Sequence, residues 1–182
     1  MVDFAVIPDL IRRLRECPAG QEGWRAFEDI CIDILTFLFV PPLAPPIVQP
    51  RTHSGIDRRD VVFPNREDVG ESVWARIYRE LGARLVLFEF KNYREEDIGK
   101  EEVNQARNYL TKAMGKLAII ISNKEPIEQA KIKRNTIYSE DGKVILLLTK
   151  EQLEEMLYIK ERGEDPADLI MDEIELFYLQ YE

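Results

Sequence analysis

Apolar residues in the first forty positions recur every three or four residues, which is the spacing of a helix with one buried face. The pattern covers residues 3–15, after which Pro18, Gly20 and Gly23 break the chain. It returns over residues 24–39 and is stopped there by a run of prolines. The sequence therefore predicts two successive helices before residue 40.

Short apolar runs alternate with helical patterns in the rest of the chain. Runs rich in β-branched and aromatic residues predict strands at residues 47–51, 58–63, 84–91, 117–122 and 144–148. Helical spacing between these runs predicts helices at residues 72–81, 101–114, 126–138, 150–161 and 166–181. This order indicates an α/β fold and a single domain over residues 1–182, with a core at about 24–148 and a C-terminal helical extension at 149–182.

The run from Arg84 to Lys91 is the clearest strand in the chain. Side chains alternate across a strand, so Leu87, Glu89 and Lys91 share one face while Val86, Phe88 and Phe90 share the other. A carboxylate and an amine therefore lie together at the end of this strand. An exposed Glu–Lys pair on an amphipathic strand gives the same tripeptide, so further residues are needed to argue for chemistry.

Asp60 stands at the start of another apolar run, Val61-Val62-Phe63, although Asp is disfavoured in strands. Two carboxylates from neighbouring strands can share a hard cation such as Mg²⁺, and Asp60 with Glu89 would form such a pair. The other interpretation of Asp60 is a strand-opening residue paired with Arg58 or Arg59. Asp57 is a second candidate, but it belongs to the turn at Gly55, whereas Asp60 abuts the strand.

Composition narrows the chemistry that the chain can perform. Its single histidine, His53, argues against His-Asp catalytic pairs and multi-histidine metal sites, so carboxylates must hold any metal. No apolar run approaches the roughly 20 residues that span a bilayer, and the N-terminus lacks the order of a signal peptide. We expect a cytoplasmic protein without membrane contact.

The net charge of −9 disfavours a nucleic-acid partner, because phosphate contacts need Lys and Arg. The charge is unevenly distributed, however. Residues 51–140 hold 17 basic and 15 acidic side chains, whereas residues 141–182 hold 4 basic and 12 acidic ones. We expect the acidic helices at the C-terminus to pack by their apolar faces on the core or on a second protomer, and to point their charge away from DNA.

Asp60 ahead of one strand, Glu89-x-Lys91 closing the next, and a helix bearing Gln105 together resemble the PD-(D/E)XK nuclease superfamily, in particular its Mrr-like restriction endonuclease branch. The resemblance covers roughly residues 24–122. It implies a restriction-endonuclease-like central mixed sheet flanked by helices. The sequence departs from the family name in one respect, because Ile56 or Arg59, and not proline, precedes the candidate aspartates.

The resemblance also implies roles for individual residues in a DNA-cleaving site. Asp60, Glu89 and the backbone carbonyl of Phe90 would bind Mg²⁺ or Mn²⁺, and Lys91 would act on water and phosphate. Glu28 and Gln105 match the helix glutamate and glutamine of the family, although each also suits an ordinary surface position. Cationic side chains surround the motif and would contact DNA phosphates: Arg58, Arg59, Arg94, Lys100 and Arg107.

The function implied is metal-dependent endonuclease cleavage of DNA, in restriction or phage defence. A homodimer, or a separate specificity or partner protein, would account for the family habit of cutting two strands. Two alternatives remain open at this point: a junction resolvase or DNA-repair nuclease, and a catalytically silent nuclease-fold module that binds another protein. A chance E-x-K in an unrelated α/β domain is a third.

Overall fold

The computed structural model describes residues 4–50 and 59–181. After a single 3-10 turn at Phe4–Val6, seven helices and five strands follow in the described part of the chain. The helices are α1 (Ile7–Glu16), α2 (Trp24–Phe39), α3 (Val73–Leu81), α4 (Lys100–Tyr109), α5 (Glu128–Asp141), α6 (Lys150–Glu161) and α7 (Ala167–Gln180). The strands are β1 (Ile47–Val48), β2 (Val61–Pro64), β3 (Leu85–Lys91), β4 (Leu117–Ser122) and β5 (Val144–Thr149).

The strands form one mixed sheet in the order β1-β2-β3-β4-β5. Strand β2 is antiparallel to both β1 and β3, whereas β3, β4 and β5 run parallel to one another. Val61 pairs with Phe88 in the β2–β3 ladder, and Lys91 pairs with Ser122 in the β3–β4 ladder. Strand β3 is thus the place where the sheet changes from antiparallel to parallel pairing.

Helices cover both faces of this sheet, as the sequence predicts. Val86, Phe88 and Phe90 belong to the larger apolar cluster, which also takes in α1, α2, α3, α6 and α7. Leu87 belongs to the smaller cluster on the opposite face, with residues of α4 and α5 such as Val103. The predicted alternation of β3 is confirmed, and so is an α/β architecture with a central mixed sheet between helices.

The C-terminal helices pack by their apolar faces on the larger cluster. Leu153, Met156 and Leu157 of α6 and Ile174 and Phe177 of α7 are each no more than 1% exposed. The chain after residue 149 therefore supplies buried surface to the fold.

The helix predicted over residues 101–114 ends at Tyr109, five residues early. Tertiary contacts explain the difference, because the Met114 carbonyl accepts a hydrogen bond from Leu85 N–H at the start of β3. Gly115 follows with φ +103°, and a Cβ there would lie 2.1 Å from the Gly82 oxygen. The chain must leave the helix to make this close approach, which only glycine permits.

No helix in residues 4–50 or 59–181 has the length and apolar character needed to cross a membrane.

Candidate active site

Asp60 and Glu89 meet where β2 begins and β3 ends. Continuing the β2–β3 register by one residue places Asp60 opposite Glu89. The Phe90 N–H donates to Asp60 Oδ2 at 2.8 Å, and the Asp60 N–H donates to Glu89 Oε1 at 3.3 Å. Each carboxylate is therefore held by the backbone of the other strand, as the sequence interpretation of two converging carboxylates requires.

Glu89 is only 2% exposed. Burial and the neighbouring negative charge of Asp60 raise the pKa of Glu89 to about 8, while the charge of Lys91 and the bond from Asp60 N–H oppose the rise. Two acidic groups so close together disfavour a second negative charge in a water-poor place. The pair is electrostatically suited to a positive partner.

The Phe90 carbonyl faces the same side as Asp60. The Phe90 N–H points toward β2, where it meets Asp60, and the N–H and C=O of one strand residue point to the same neighbouring strand. The next carbonyl, that of Lys91, accepts from Asn123 N–H on the β4 side. The alternation of carbonyls along β3 therefore brings the Phe90 oxygen to the carboxylate pair.

Lys91 lies on the face of β3 that α4 covers. Its ammonium donates to Gln105 Oε1 at 2.6 Å, and Gln105 Nε2 donates to the Tyr109 hydroxyl at 2.9 Å. Gln105 and Tyr109 are one helical turn apart, so α4 presents both to the strand. The helix glutamine is thus a direct partner of the lysine and not a plain surface amide.

Arg59 connects α4 to the first residue of the site. Its guanidinium donates twice to the Tyr109 carbonyl, at 3.0 Å from Nε and 2.8 Å from Nη2, and it lies 5.8 Å from the Tyr109 ring centroid. Arg59 is 7% exposed and immediately precedes Asp60. The end of α4 and the start of β2 are therefore fastened together beside the carboxylates.

Glu28 reaches the site from α2. It is 7% exposed, so the interpretation as a solvated helix position is wrong. Gln49 donates from Nε2 to Glu28 Oε1 at 2.9 Å, and its backbone N–H donates to the Asp60 carbonyl at 2.7 Å. A single residue after β1 thus joins the helix glutamate to the strand aspartate.

The cationic residues differ in their availability. Arg94 donates to the Ala19 carbonyl and pairs with Glu22 at 3.5 Å, and Lys100 is exposed at the start of α4. Arg107 forms ion pairs with Glu140 and Asp141 at the end of α5. Arg59 donates hydrogen bonds to the Tyr109 carbonyl. Phosphate contact stays a prediction for all four residues, and Arg59, Arg94 and Arg107 would have to leave structural partners to make it.

Two of the candidates named from sequence, Asp57 and Arg58, lie outside the described residues. The choice between Asp57 and Asp60 is not decided by the structure, although Asp60 is placed against Glu89.

Asp60, Glu89 and the Phe90 carbonyl are the oxygen donors that the sequence resemblance assigns to a metal ion. Within residues 4–50 and 59–181, no group of three or more His, Cys, Asp or Glu side chains is placed to hold an ion. Two carboxylates and one carbonyl are oxygen donors, which Mg²⁺ and Mn²⁺ prefer, and Mg²⁺ commonly keeps several waters. The residues present therefore fit a hard divalent cation with solvent completing its shell.

Sequence reasoning missed Gln49 and Tyr109. Nothing local distinguishes Gln49, which has φ +50° after a two-residue strand and acts through contacts with distant residues. Tyr109 could have been found, since it lies four residues after Gln105 on a predicted helix.

Comparison with known proteins finds a relative that matches part of this chain. The chain is 33% identical over 120 residues to the "Putative transposon gamma-delta 80.3 kDa protein" of Escherichia coli (strain K12). The match takes in 65% of this chain and 16% of the relative, so the chain spans a small part of that protein's length. No family model matches the chain, and no solved structure matches it.

Proposed function

We propose that the chain is a metal-dependent DNA endonuclease of the PD-(D/E)XK type, resembling its Mrr-like restriction endonuclease branch. The observation that carries the proposal is the interlock of Asp60 and Glu89 across β2 and β3, with Lys91 two residues along the same face. A buried glutamate beside a second, half-buried carboxylate is costly to ionise, because like charges repel in a water-poor site. A role in metal-assisted hydrolysis would explain the pair, because a bound cation would offset the repulsion between the two carboxylates.

Asp60, Glu89 and the Phe90 carbonyl would hold the divalent cation. When bound, such an ion polarises a phosphoryl oxygen and lowers the pKa of a coordinated water. The surrounding backbone orients the two carboxylates. Hydrogen bonds from the N–H groups of β3 and of Asp60 to the carboxylates hold both in place before any substrate binds. Such preorganisation avoids rearrangement during the reaction.

Lys91 would act on the attacking water and the scissile phosphate. An ammonium has three donors, and Gln105 accepts one of them. Two donors remain to bind the water and to offset charge that develops on the phosphoryl oxygens. Gln105 would therefore be a positioning residue that aims the lysine.

The relative's name associates that protein with a transposon, which adds a mobile-element context to restriction or phage defence as settings for the proposed activity. The name carries no information about nuclease chemistry. The proposal for the reaction stands on the geometry of Asp60, Glu89 and Lys91.

The proposed function is tested by incubating supercoiled plasmid DNA with the purified chain and Mg²⁺. Lys91→Ala should remove nicking and linearisation while circular dichroism and thermal unfolding stay close to those of the parent. Lys112→Ala is a matched control, because that lysine is exposed and lies after α4. A Lys91→Ala variant that cuts at the parent rate would reject the proposed role of the lysine, and a parent without metal-dependent cleavage would reject the function.

A further inference from the structure

A cavity of about 560 Å³ opens at the carboxyl end of β3, between the α1–α2 loop and the loop that follows β3. Its lining includes Phe90 and Lys91 from the strand, Trp24 from α2 and Tyr93 from the loop. Sites for small organic groups typically have volumes of about 300–1,000 Å³. The cavity is therefore large enough for one nucleotide unit beside the proposed catalytic lysine.

Trp24 is an unusually exposed aromatic residue for such a place. Its side chain is 40% exposed, whereas Trp74 is 1% exposed in the larger apolar cluster. Trp24 also lines a second cavity of about 210 Å³ together with Glu28 and Gln49. The indole thus stands between the lysine side and the glutamate side of the candidate active site.

The walls of the larger cavity are tied together. Asn92 donates from Nδ2 to the carbonyls of Pro18 and Gly20, at 2.9 and 3.2 Å, and Arg94 donates to the Ala19 carbonyl at 3.0 Å. Gly20 has φ +83°, and a Cβ there would lie 3.3 Å from the Arg94 Cβ. These contacts hold the two loops at short range, so the space beside Trp24 exists before a ligand binds.

The charged side chains that line this cavity favour a neutral ligand group. Glu22, Glu95 and Glu96 line the cavity and are exposed, and Arg94 is paired with Glu22. Carboxylates repel a phosphate but accept hydrogen bonds from the N–H groups of an unpaired base, such as the ring N–H of thymine. The cation at Lys91 suits the phosphate, and the aromatic, acidic cavity next to it suits the base.

We propose that Trp24 is a stacking platform for an unpaired nucleobase, so that the site takes single-stranded or locally unpaired DNA. The inference rests on the proposed function, which puts the scissile phosphate at Lys91. Bases in an intact duplex have both faces covered by their neighbours, whereas a base that has left the duplex offers a free face on which an aromatic ring can stack. The Arg25 guanidinium lies over one face of the Trp24 ring, 5.1 Å from its centroid, so a base would stack on the opposite face.

Tryptophan fluorescence of the full chain tests this directly, without cleavage. An oligothymidine, which cannot pair with itself, is titrated in EDTA and again in Ca²⁺, and a blunt-ended duplex of equal length, which has no unpaired bases and should quench little, serves as comparison. We expect the oligothymidine to quench the exposed indole, and Trp24→Phe, which leaves only the buried Trp74, to remove the change. Absence of quenching by the single strand in both buffers would overturn the proposal.

Affinity provides a second measurement, by anisotropy of the labelled oligothymidine. Trp24→Ala should weaken binding by roughly 5- to 150-fold, the range for loss of one base–aromatic stack, and Trp24→Phe should retain most of it. Phe4→Ala removes an aromatic residue of matched exposure, 41%, from the other end of the chain and should change nothing. Equal affinities of the parent and Trp24→Ala would overturn the proposal.

The outcomes separate the stacking proposal from the proposed nuclease function. If Mg²⁺-dependent plasmid cleavage requires Lys91 but Trp24→Ala binds and cuts single strands like the parent, only the stacking role is wrong. If Trp24 responds to single strands but no DNA is cut, the stacking role is supported and the nuclease function is wrong.

Discussion

The Lys91 ammonium and the Gln105 side-chain oxygen are 2.6 Å apart, and this hydrogen bond joins the last residue of β3 to the middle of α4. Gln105 is itself held by the Tyr109 hydroxyl, so the amide cannot turn freely. A flexible four-carbon side chain is thereby given a defined direction. The contact makes the helix part of the proposed catalytic apparatus, although α4 contributes no carboxylate to the metal donor set.

Gln105→Leu should lower kcat by about 10- to 150-fold and leave KM nearly unchanged, because a hydrogen bond to a charged group contributes about 1.5–3 kcal/mol and here positions the lysine. Asn108→Ala on the same helix is the control, since its exposed amide makes no hydrogen bond among the described residues. Steady-state cleavage of a labelled DNA strand gives both constants. A rise in KM with unchanged kcat would show that Gln105 binds DNA and does not position Lys91.

Asp60→Asn and Glu89→Gln should each abolish binding of Mn²⁺ in a calorimetric titration, since each removes one of two charged donors. Asp33→Asn, an exposed aspartate on α2, should bind Mn²⁺ like the parent. Asp57→Asn decides between the two candidate aspartates. Loss of binding in Asp57→Asn but not in Asp60→Asn would move the site to the other residue.

Without metal, the parent should lose stability as pH rises from about 4.5 to about 8, because the unfolded chain ionises Glu89 at the lower pH while the folded chain holds the proton to about 8. The folded state binds more protons over this interval, so the free energy of unfolding falls, by an amount on the order of a few kcal/mol. Thermal unfolding at several pH values measures the effect. In Glu89→Gln this contribution should vanish, and equal pH slopes in the two proteins would show that Glu89 is not the titrating group.

Phe177→Ala in α7 should destabilise the chain by about 3–5 kcal/mol, since this 1% exposed ring packs against Tyr138 at 5.2 Å between centroids. Leu179→Ala, two residues away and 84% exposed, should change stability by less than about 0.5 kcal/mol. Urea unfolding of both variants measures the difference. Similar small effects in the two would mean that the C-terminal helices are not part of the cooperative core.

The chain's pattern was sufficient to locate most helices and strands, because they are determined locally. The bounds of α2, β4 and α6 match the predicted ones, and β3 begins one residue later than predicted. The end of α4 was predicted wrongly, because the Met114 carbonyl accepts a hydrogen bond from the Leu85 N–H in β3. No local sequence pattern indicates this long-range contact.

The candidate site likewise contains residues that the local sequence predicts and contacts that only the folded chain reveals. Glu89 and Lys91 could be chosen because strand alternation places them on one face, and Asp60 because an aspartate is unusual at the start of an apolar strand; the structure places Asp60 against Glu89. The links made by Gln49 and Arg59 join segments that are far apart in sequence, so they become visible only in the folded chain.

The fastening of Arg59 to the Tyr109 carbonyl has a consequence for protein engineering. Asp60 and the lysine's partner helix share one anchor, so a shift of α4 would misalign the acidic and basic halves of the site at once. A graft of this site onto another scaffold would fail with the two strands alone. The transferred segments have to include α4 as far as Tyr109, together with Arg59, which donates hydrogen bonds to the end of that helix.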